Sequence, residues 1–496
     1  MRFVIKNERL IPEPFVPEEN RQQLKSIARF DHLSTIPLKQ FNYSPPLQEL
    51  LIGKALLLDE IPFTLQTLYE HYLHGHLSFQ KGIQEGSCMR CGNRDPHLFG
   101  DMSCSRCHEE KCRYCRCCIM MGRVSSCTPL ITWTGPTRDN QIAPFLQWNG
   151  QLSEGQKEAS KQVVTAIQNH QKLLVWAVCG AGKTEVLFAG IHEALQTGKR
   201  ICIASPRTDV IHELTPRLQN AFPHIPVVSL FGGSEQKNEY SPLTLLTTHQ
   251  LYRFQAAFDA VIVDEVDAFP YAYDKTLQFA VEKARKKQSS LILLTATPSS
   301  KLKKQSRKGT LPTVKIPVRY HGHPLPVPNI AWAGNWQKKI SKGKLPHSIA
   351  VWSKERLQQQ KQAFIFFPHI ETMQMALPIF QQLHPDIQSV HAEDPERKVK
   401  VKSMRRGDIP ILLTTTILER GVTVPGVDVA VVGADDLGFK EAALVQISGR
   451  VGRRSDLPQG NITFFHHGKT MTMVKAVGHI RQMNKEGAKR GWLIHE

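Results

Sequence analysis

Three short stretches and one cysteine cluster combine residue types whose spacing suits defined chemistry. In Ala177-Val178-Cys179-Gly180-Ala181-Gly182-Lys183-Thr184, glycines let backbone N–H groups approach an anion, a lysine can meet β- and γ-phosphates, and a threonine hydroxyl suits Mg2+. Ala177 stands where the strict phosphate-loop pattern has its first glycine. Asp264 and Glu265 end an apolar run, where one carboxylate can hold Mg2+ and the other can polarise an attacking water. In Gln446-Ile447-Ser448-Gly449-Arg450-Val451-Gly452-Arg453 the two arginines are three residues apart, a spacing that predicts one helix face and two guanidiniums reaching a γ-phosphate. Catalysis is therefore expected of Lys183, Asp264, Glu265, Arg450 and Arg453. ATP contacts are expected of residues 177–184, of Gln446, and of Gln156, whose amide matches an adenine edge.

Nine of the eleven cysteines lie between Cys88 and Cys127, as Cys88-x2-Cys91, Cys104-x2-Cys107, Cys112-x2-Cys115-x-Cys117-Cys118 and Cys127. Two cysteines separated by two residues can aim both sulfurs at one Zn2+, and four thiolates close a structural site with no open position for catalysis. The spacing supports one zinc site and has room for two, with the partition of the cysteines open.

Such groups need rigid strand ends to hold them. From Lys172 onward, short apolar runs alternate with helix-length segments. LLVWAV, ICIAS, TLLTT, AVIVD and LILLT form one block, and AFIFF, PILLTTT, VAVVGA and NITFF a second. Both read as buried parallel strands, so the expected class is α/β, a doubly wound sheet made twice. The boundaries predicted are 1–85, a region without a catalytic pattern that packs on a later domain; 86–128, the cysteine module; 129–300, the first α/β domain; 301–345, an exposed linker rich in Pro, Gly and Lys; and 346–496, the second α/β domain.

A hydrophobic fraction of 41% fits a folded protein, and 63 Lys and Arg against 44 Asp and Glu give a formal charge of +19. That balance suits a polyanionic partner and, equally, a cationic protein without one. No apolar run approaches the roughly 18 residues that cross a bilayer, and the charged, proline-containing start is unlike a secretory signal, so a cytoplasmic location is expected.

The motif series becomes specific when read in order. After the phosphate loop come Ser205-Pro206-Arg207, Thr247-Thr248-His249, the acid pair, Thr295-Ala296-Thr297-Pro298, Glu419-Arg420-Gly421-Val422-Thr423 and the arginine motif. This series resembles the superfamily 2 helicases, which implies two RecA-like domains forming a helicase core behind a small zinc-binding module. The resemblance implies coupling roles for Thr295, Thr297, Gly421 and Thr423, and contacts to a DNA backbone by Ser205, Arg207, Thr247, Thr248 and Thr416. Cys-x-x-Cys-Gly at 88–92 with the Tyr-Cys-Arg-Cys-Cys-Ile run at 114–119, ahead of such a core, is similar to the ComFA family of late competence proteins. That similarity places Zn2+ on Cys88, Cys91, Cys115 and Cys118 and leaves Cys104, Cys107, Cys112 and Cys127 as a candidate second set.

What the resemblance implies is an ATP-dependent translocase or helicase on single-stranded DNA, serving uptake of transforming DNA, with ATP, Mg2+ and Zn2+ as cofactors. It further implies peripheral attachment at the inner membrane face and partnership with the DNA-uptake channel and the phosphoribosyltransferase-like ComFC, with self-association left open. A primosomal or repair-type helicase is the second enzyme reading, disfavoured because its cysteines lie inside the motor. An ATP-switched DNA-binding scaffold is the third, disfavoured by the presence of Glu265, Arg450 and Arg453.

Overall fold

A computed structural model of the chain describes residues 1–138, 145–420, 422 and 424–494. Gly421 and Thr423 lie outside the described residues. By contact density the chain divides into two compact units. The first is Met1–Asn149, Val163–Leu173 and Phe188–Leu293; the second is Gly150–Gln162, Leu174–Leu187 and Leu294–Glu496.

Two parallel sheets form the two α/β domains. The first has seven strands in the spatial order Val227–Leu230, Leu243–Thr247, Ile201–Ser205, Phe258–Val263, Arg285–Thr295, Lys172–Ala177, Thr313–Ile316. The second has six, in the order Asn329–Trp332, Ile462–His466, Asp428–Val432, Ala363–Phe366, Ile411–Thr414, Gln388–Val390. Pairings such as Ile203 with Ile262 and Ile365 with Ala430 are parallel, and Ile201–Ser205, Ala363–Phe366 and Asp428–Val432 are buried along their whole length. Such burial requires helices on the sheet faces, which is why these strands read as unbroken apolar runs rather than alternating ones.

Residues 1–85 do more than dock on a later domain. Ala55–Leu57 and Leu77–Lys81 pair antiparallel with Pro129–Trp133, and Phe3, Leu47, Leu51, Leu68 and Ile131 pack into a core of their own. The segment expected to be an exposed linker is also built into the fold. It contains the helices Ser300–Arg307 and Trp336–Ser341 and one outer strand of each large sheet, Thr313–Ile316 and Asn329–Trp332. Val314, Ile316, Val318, Trp336 and Ile340 are buried there. These strands are only four residues long and lie among prolines and lysines, so composition concealed them.

Candidate functional site

The phosphate loop leaves the strand Lys172–Ala177 and enters the helix Lys183–Gln196. Gly180 and Gly182 have φ of 81° and 70°, the left-handed region that glycine occupies without strain. A Cβ on Gly182 would sit 2.3 Å from Gln156 Nε2, so the loop also needs glycine there for space. Gln156 is buried; its amide donates to Ala181 O at 2.9 Å and its Oε1 accepts from Ser153 N at 2.8 Å. The Gln156 amide thus braces the loop backbone.

The arginine motif departs from its expected geometry. Its helix, Glu441–Ser448, stops before either arginine, and Gly452 turns the chain with φ of 67°. Arg450 and Arg453 therefore lie on a turn and not on one helix face. Arg450 donates to the carbonyls of Glu419 and Val422, and Arg453 Nε donates to Gly449 O at 2.9 Å. The turn is seated on the phosphate loop: Cys179 S–H donates to Gln446 Oε1 at 2.9 Å, and a Cβ on Gly449 would lie 2.4 Å from Cys179 Cβ.

One residue at this place had no motif to announce it. Arg319, 1% exposed and just beyond the strand Thr313–Ile316, donates through Nη1 to Gly452 O, while its Nε has no hydrogen-bond partner among the described residues. Its Cγ, Cδ and Nε lie 3.6 Å from where a Gly180 Cβ would be, so the guanidinium arm lies along the loop and meets the arginine turn. Burial, with Arg453 nearby, lowers its pKa to about 10. His321 Nε2 lies 3.3 Å from the same Gly452 carbonyl.

Asp264 and Glu265 stand at the carboxyl end of Phe258–Val263. Glu265 N donates to Asp264 Oδ1 at 2.8 Å, and Glu265 has φ of 53°. A non-glycine residue in that region stores about 1–2 kcal/mol, a strain characteristic of functional positions. Thr295 and Thr297 are buried; Thr295 Oγ1 accepts from Thr297 N at 2.9 Å, and Ala296 O accepts from Trp176 Nε1 at 3.1 Å. Among the residues expected at DNA, Ser205, Thr247 and Thr248 are buried, Ser205 Oγ accepting from Arg207 N at 3.4 Å. Arg207 and Thr416 are partly exposed.

The cysteines converge as two buried sets, Cys88, Cys91, Cys115, Cys118 and Cys104, Cys107, Cys112, Cys127, with all sulfurs of a set within 4.8 Å of one another. In the first set Cys88 and Cys118 sulfurs are 3.8 Å apart, and those of Cys91 and Cys115 3.6 Å. Tetrahedral Zn–S bonds of about 2.3 Å put ligand sulfurs about 3.8 Å apart, so the set fits zinc. This knuckle is braced against the first α/β domain. Arg90, between the first two cysteines and 0% exposed, donates to Glu60 Oε1 at 2.9 Å, and Arg253 Nε reaches the same oxygen at 2.7 Å. Lys283 Nζ donates to Arg90 O at 2.6 Å and Tyr252 O at 2.7 Å. No single segment of sequence contains this network, so spacing gave no sign of it.

Comparison with known proteins agrees with this anatomy. Residues 39–132 match the competence protein ComFA N-terminal domain, 149–300 the type III restriction enzyme res subunit, and 347–455 the helicase conserved C-terminal domain. The chain is 45% identical over 455 residues to competence protein ComFA of Bacillus subtilis (strain 168), covering 91% of this chain and 98% of that one. The chain belongs to the ComFA family. The Streptococcus pneumoniae ComFA is 38% identical over 375 residues, covering 75% of this chain and 86% of its own. Saccharomyces cerevisiae Dbp5 L327V, bound to RNA and ADP BeF3, shares the fold with a TM-score of 0.50 at 16% identity, covering 67% of this chain and 88% of that chain. A superfamily 2 helicase-type ATPase core with a ComFA N-terminal domain makes this a competence-related helicase that uses a nucleotide with Mg2+ and binds nucleic acid. Among the described residues, no helix is long and apolar enough to cross a membrane.

Proposed function

We propose that the protein is an ATP-dependent translocase on single-stranded DNA that drives uptake of transforming DNA, working from the cytoplasmic face of the membrane with the uptake channel and ComFC. The observation that carries this reading is the seating of the Gln446–Arg453 motif on the phosphate loop, through Cys179 with Gln446 and Arg319 with Gly452. An arginine-bearing turn lodged against the loop ties the position of the second parallel sheet's helix to what the loop holds. Nucleotide turnover then moves that element, as a motor requires.

In this reading Lys183 and the loop N–H groups bind the phosphates, Glu265 orients the attacking water, and Arg450 and Arg453 stabilise charge on the γ-phosphate. To take that part, Arg450 exchanges the carbonyls of Glu419 and Val422 for phosphate oxygens. Thr184 and Asp264, a hydroxyl and a carboxylate, are each of a type that suits a hard cation, and Mg2+ would neutralise phosphate charge. Arg319 is a positioning residue, holding the arginine turn in register with Gly180. The Cys88, Cys91, Cys115, Cys118 set holds zinc as a structural brace. Arg207, Thr416 and backbone N–H groups near Ser205, Thr247 and Thr248 hold DNA phosphates.

The test is steady-state ATP hydrolysis with no nucleic acid, single-stranded DNA, duplex DNA or RNA, beside Lys183→Ala and Glu265→Gln. Stimulation by single-stranded DNA that both variants lose supports the motor. Nucleotide binding without hydrolysis under every condition overturns it in favour of an ATP-switched scaffold.

A further inference from the structure

The second cysteine set is a built site of its own. Cys104, Cys107, Cys112 and Cys127 are 5%, 5%, 0% and 1% exposed, and Cys104 and Cys127 sulfurs are 3.8 Å apart, the ligand spacing of a tetrahedral zinc thiolate. Its turn repeats the turn of the first set. There Gly92 N donates to Cys88 O at 2.7 Å with φ of 72°; here His108 N donates to Cys104 O at 2.8 Å with φ of 56°. A histidine held in left-handed backbone after Cys-x-x-Cys is the same knuckle made without glycine, at a local cost.

The ligands of the two sets interleave along one hairpin. Phe99–Cys104 pairs with Glu109–Cys115 in a register that sets Met102 opposite Cys112 and Phe99 opposite Cys115. Cys112 and Cys115, three residues apart on one strand, point to opposite faces, so each serves a different set. What packs around the sulfurs of the second set is little else: the local core is the four cysteines with the half-buried Met102. An apolar cluster that small cannot hold a hairpin, which leaves the sulfurs to do it.

We propose that Cys104, Cys107, Cys112 and Cys127 bind a second structural Zn2+, so that the chain carries two. It fastens the tip of the hairpin to Cys127, two residues before Pro129–Trp133, the central strand of the N-terminal sheet. Through Glu109, which accepts from Ser26 Oγ at 2.9 Å and pairs with Arg29 at 3.2 Å, it also fixes the stretch from Ser26 to Arg29. The two ions differ in access. Cys104 and Cys127 line a cavity of about 150 Å3 with Arg106 and Arg123, whereas Gly92 of the first knuckle packs on the Phe279 ring. The second ion therefore leaves first to a chelator. This inference stands apart from the motor reading, since it is read in metal content and not in activity.

Elemental analysis of the purified full chain is expected to give two zinc ions per chain, and Cys104→Ser with Cys127→Ser one. Stepwise chelation followed with a zinc-sensing dye is expected to show a fast and a slow release of equal size, the fast one missing from that double variant. Should the variant not fold, the wild-type stoichiometry and its two release phases still decide. One zinc per chain in the wild type, or a Cys104–Cys127 disulfide found by mass spectrometry of the untreated protein, overturns the proposal.

Discussion

Glu60→Gln tests how firmly the cysteine knuckle is fastened to the motor. The Glu60 carboxylate accepts from Arg90 at 2.9 and 3.0 Å and from Arg253 at 2.7 Å. Arg90 is wholly buried, while the side chains of Glu60 and Arg253 are 15% and 19% exposed. Removing one partner of a buried ion pair costs roughly 3–5 kcal/mol, because the remaining charge stays desolvated. Glutamine keeps the shape and one acceptor, and the partial exposure of Glu60 and Arg253 screens the pair, so about 3 kcal/mol is expected here. At 1.4 kcal/mol per tenfold, local opening becomes about 100 times more frequent. Hydrogen exchange read by mass spectrometry would report it in the two elements the network braces, Thr248–Arg253 and Lys275–Ala284. A peptide covering the helix Ile370–Gln381, which takes no part in the network, should be unchanged. An acceleration below threefold in the braced elements would show that the guanidiniums are satisfied without Glu60 and refute the reasoning.

Three further outcomes follow from the geometry. Arg319→Ala should lower kcat for ATP hydrolysis about 10–100-fold with ADP affinity little changed, since a charged hydrogen bond of about 1.5–3 kcal/mol to the arginine turn is lost; an equal loss in kcat and in ADP affinity would mean a merely structural role. Gly182→Ala meets both a φ of 70° and the Gln156 amide, so ATP binding measured with a fluorescent analogue should weaken at least about tenfold. Lys54 is buried beside Arg200 and Arg253, and burial first, then those two charges, lowers its pKa to about 7, while Glu60 opposes the shift. The unfolded chain then binds more protons between about pH 7 and 10.5, so stability rises with pH across that window and the cost of burying the charged amine is complete below it. Lys54→Met should raise the denaturation midpoint most at pH 6–7 and least near pH 10; parallel curves for the two proteins would contradict the burial argument.

Much of the motor was legible from local pattern alone. Apolar runs bounded by polar residues gave the strands, and Gly180, Gly182, Lys183 and Thr184 between a strand and a helix gave the loop, because these signals lie within a few residues of one another. The acid pair was equally local. Tertiary structure decided what depends on residues far apart. That Gln156 braces the loop rests on where Ala181 lies, 25 residues on. The arginines left their helix because Gly449 must pack against Cys179 and Gly452 must turn toward Arg319, neither of which a three-residue spacing records. Cysteine spacing announced metal chemistry, but resemblance to a family suggested which four belong together, and the hairpin register is what separates Cys112 from Cys115. The outer strands Thr313–Ile316 and Asn329–Trp332 carry little apolar signal of their own; they are strands because a sheet edge supplies the hydrogen bonds, and that edge exists only once the chain has folded.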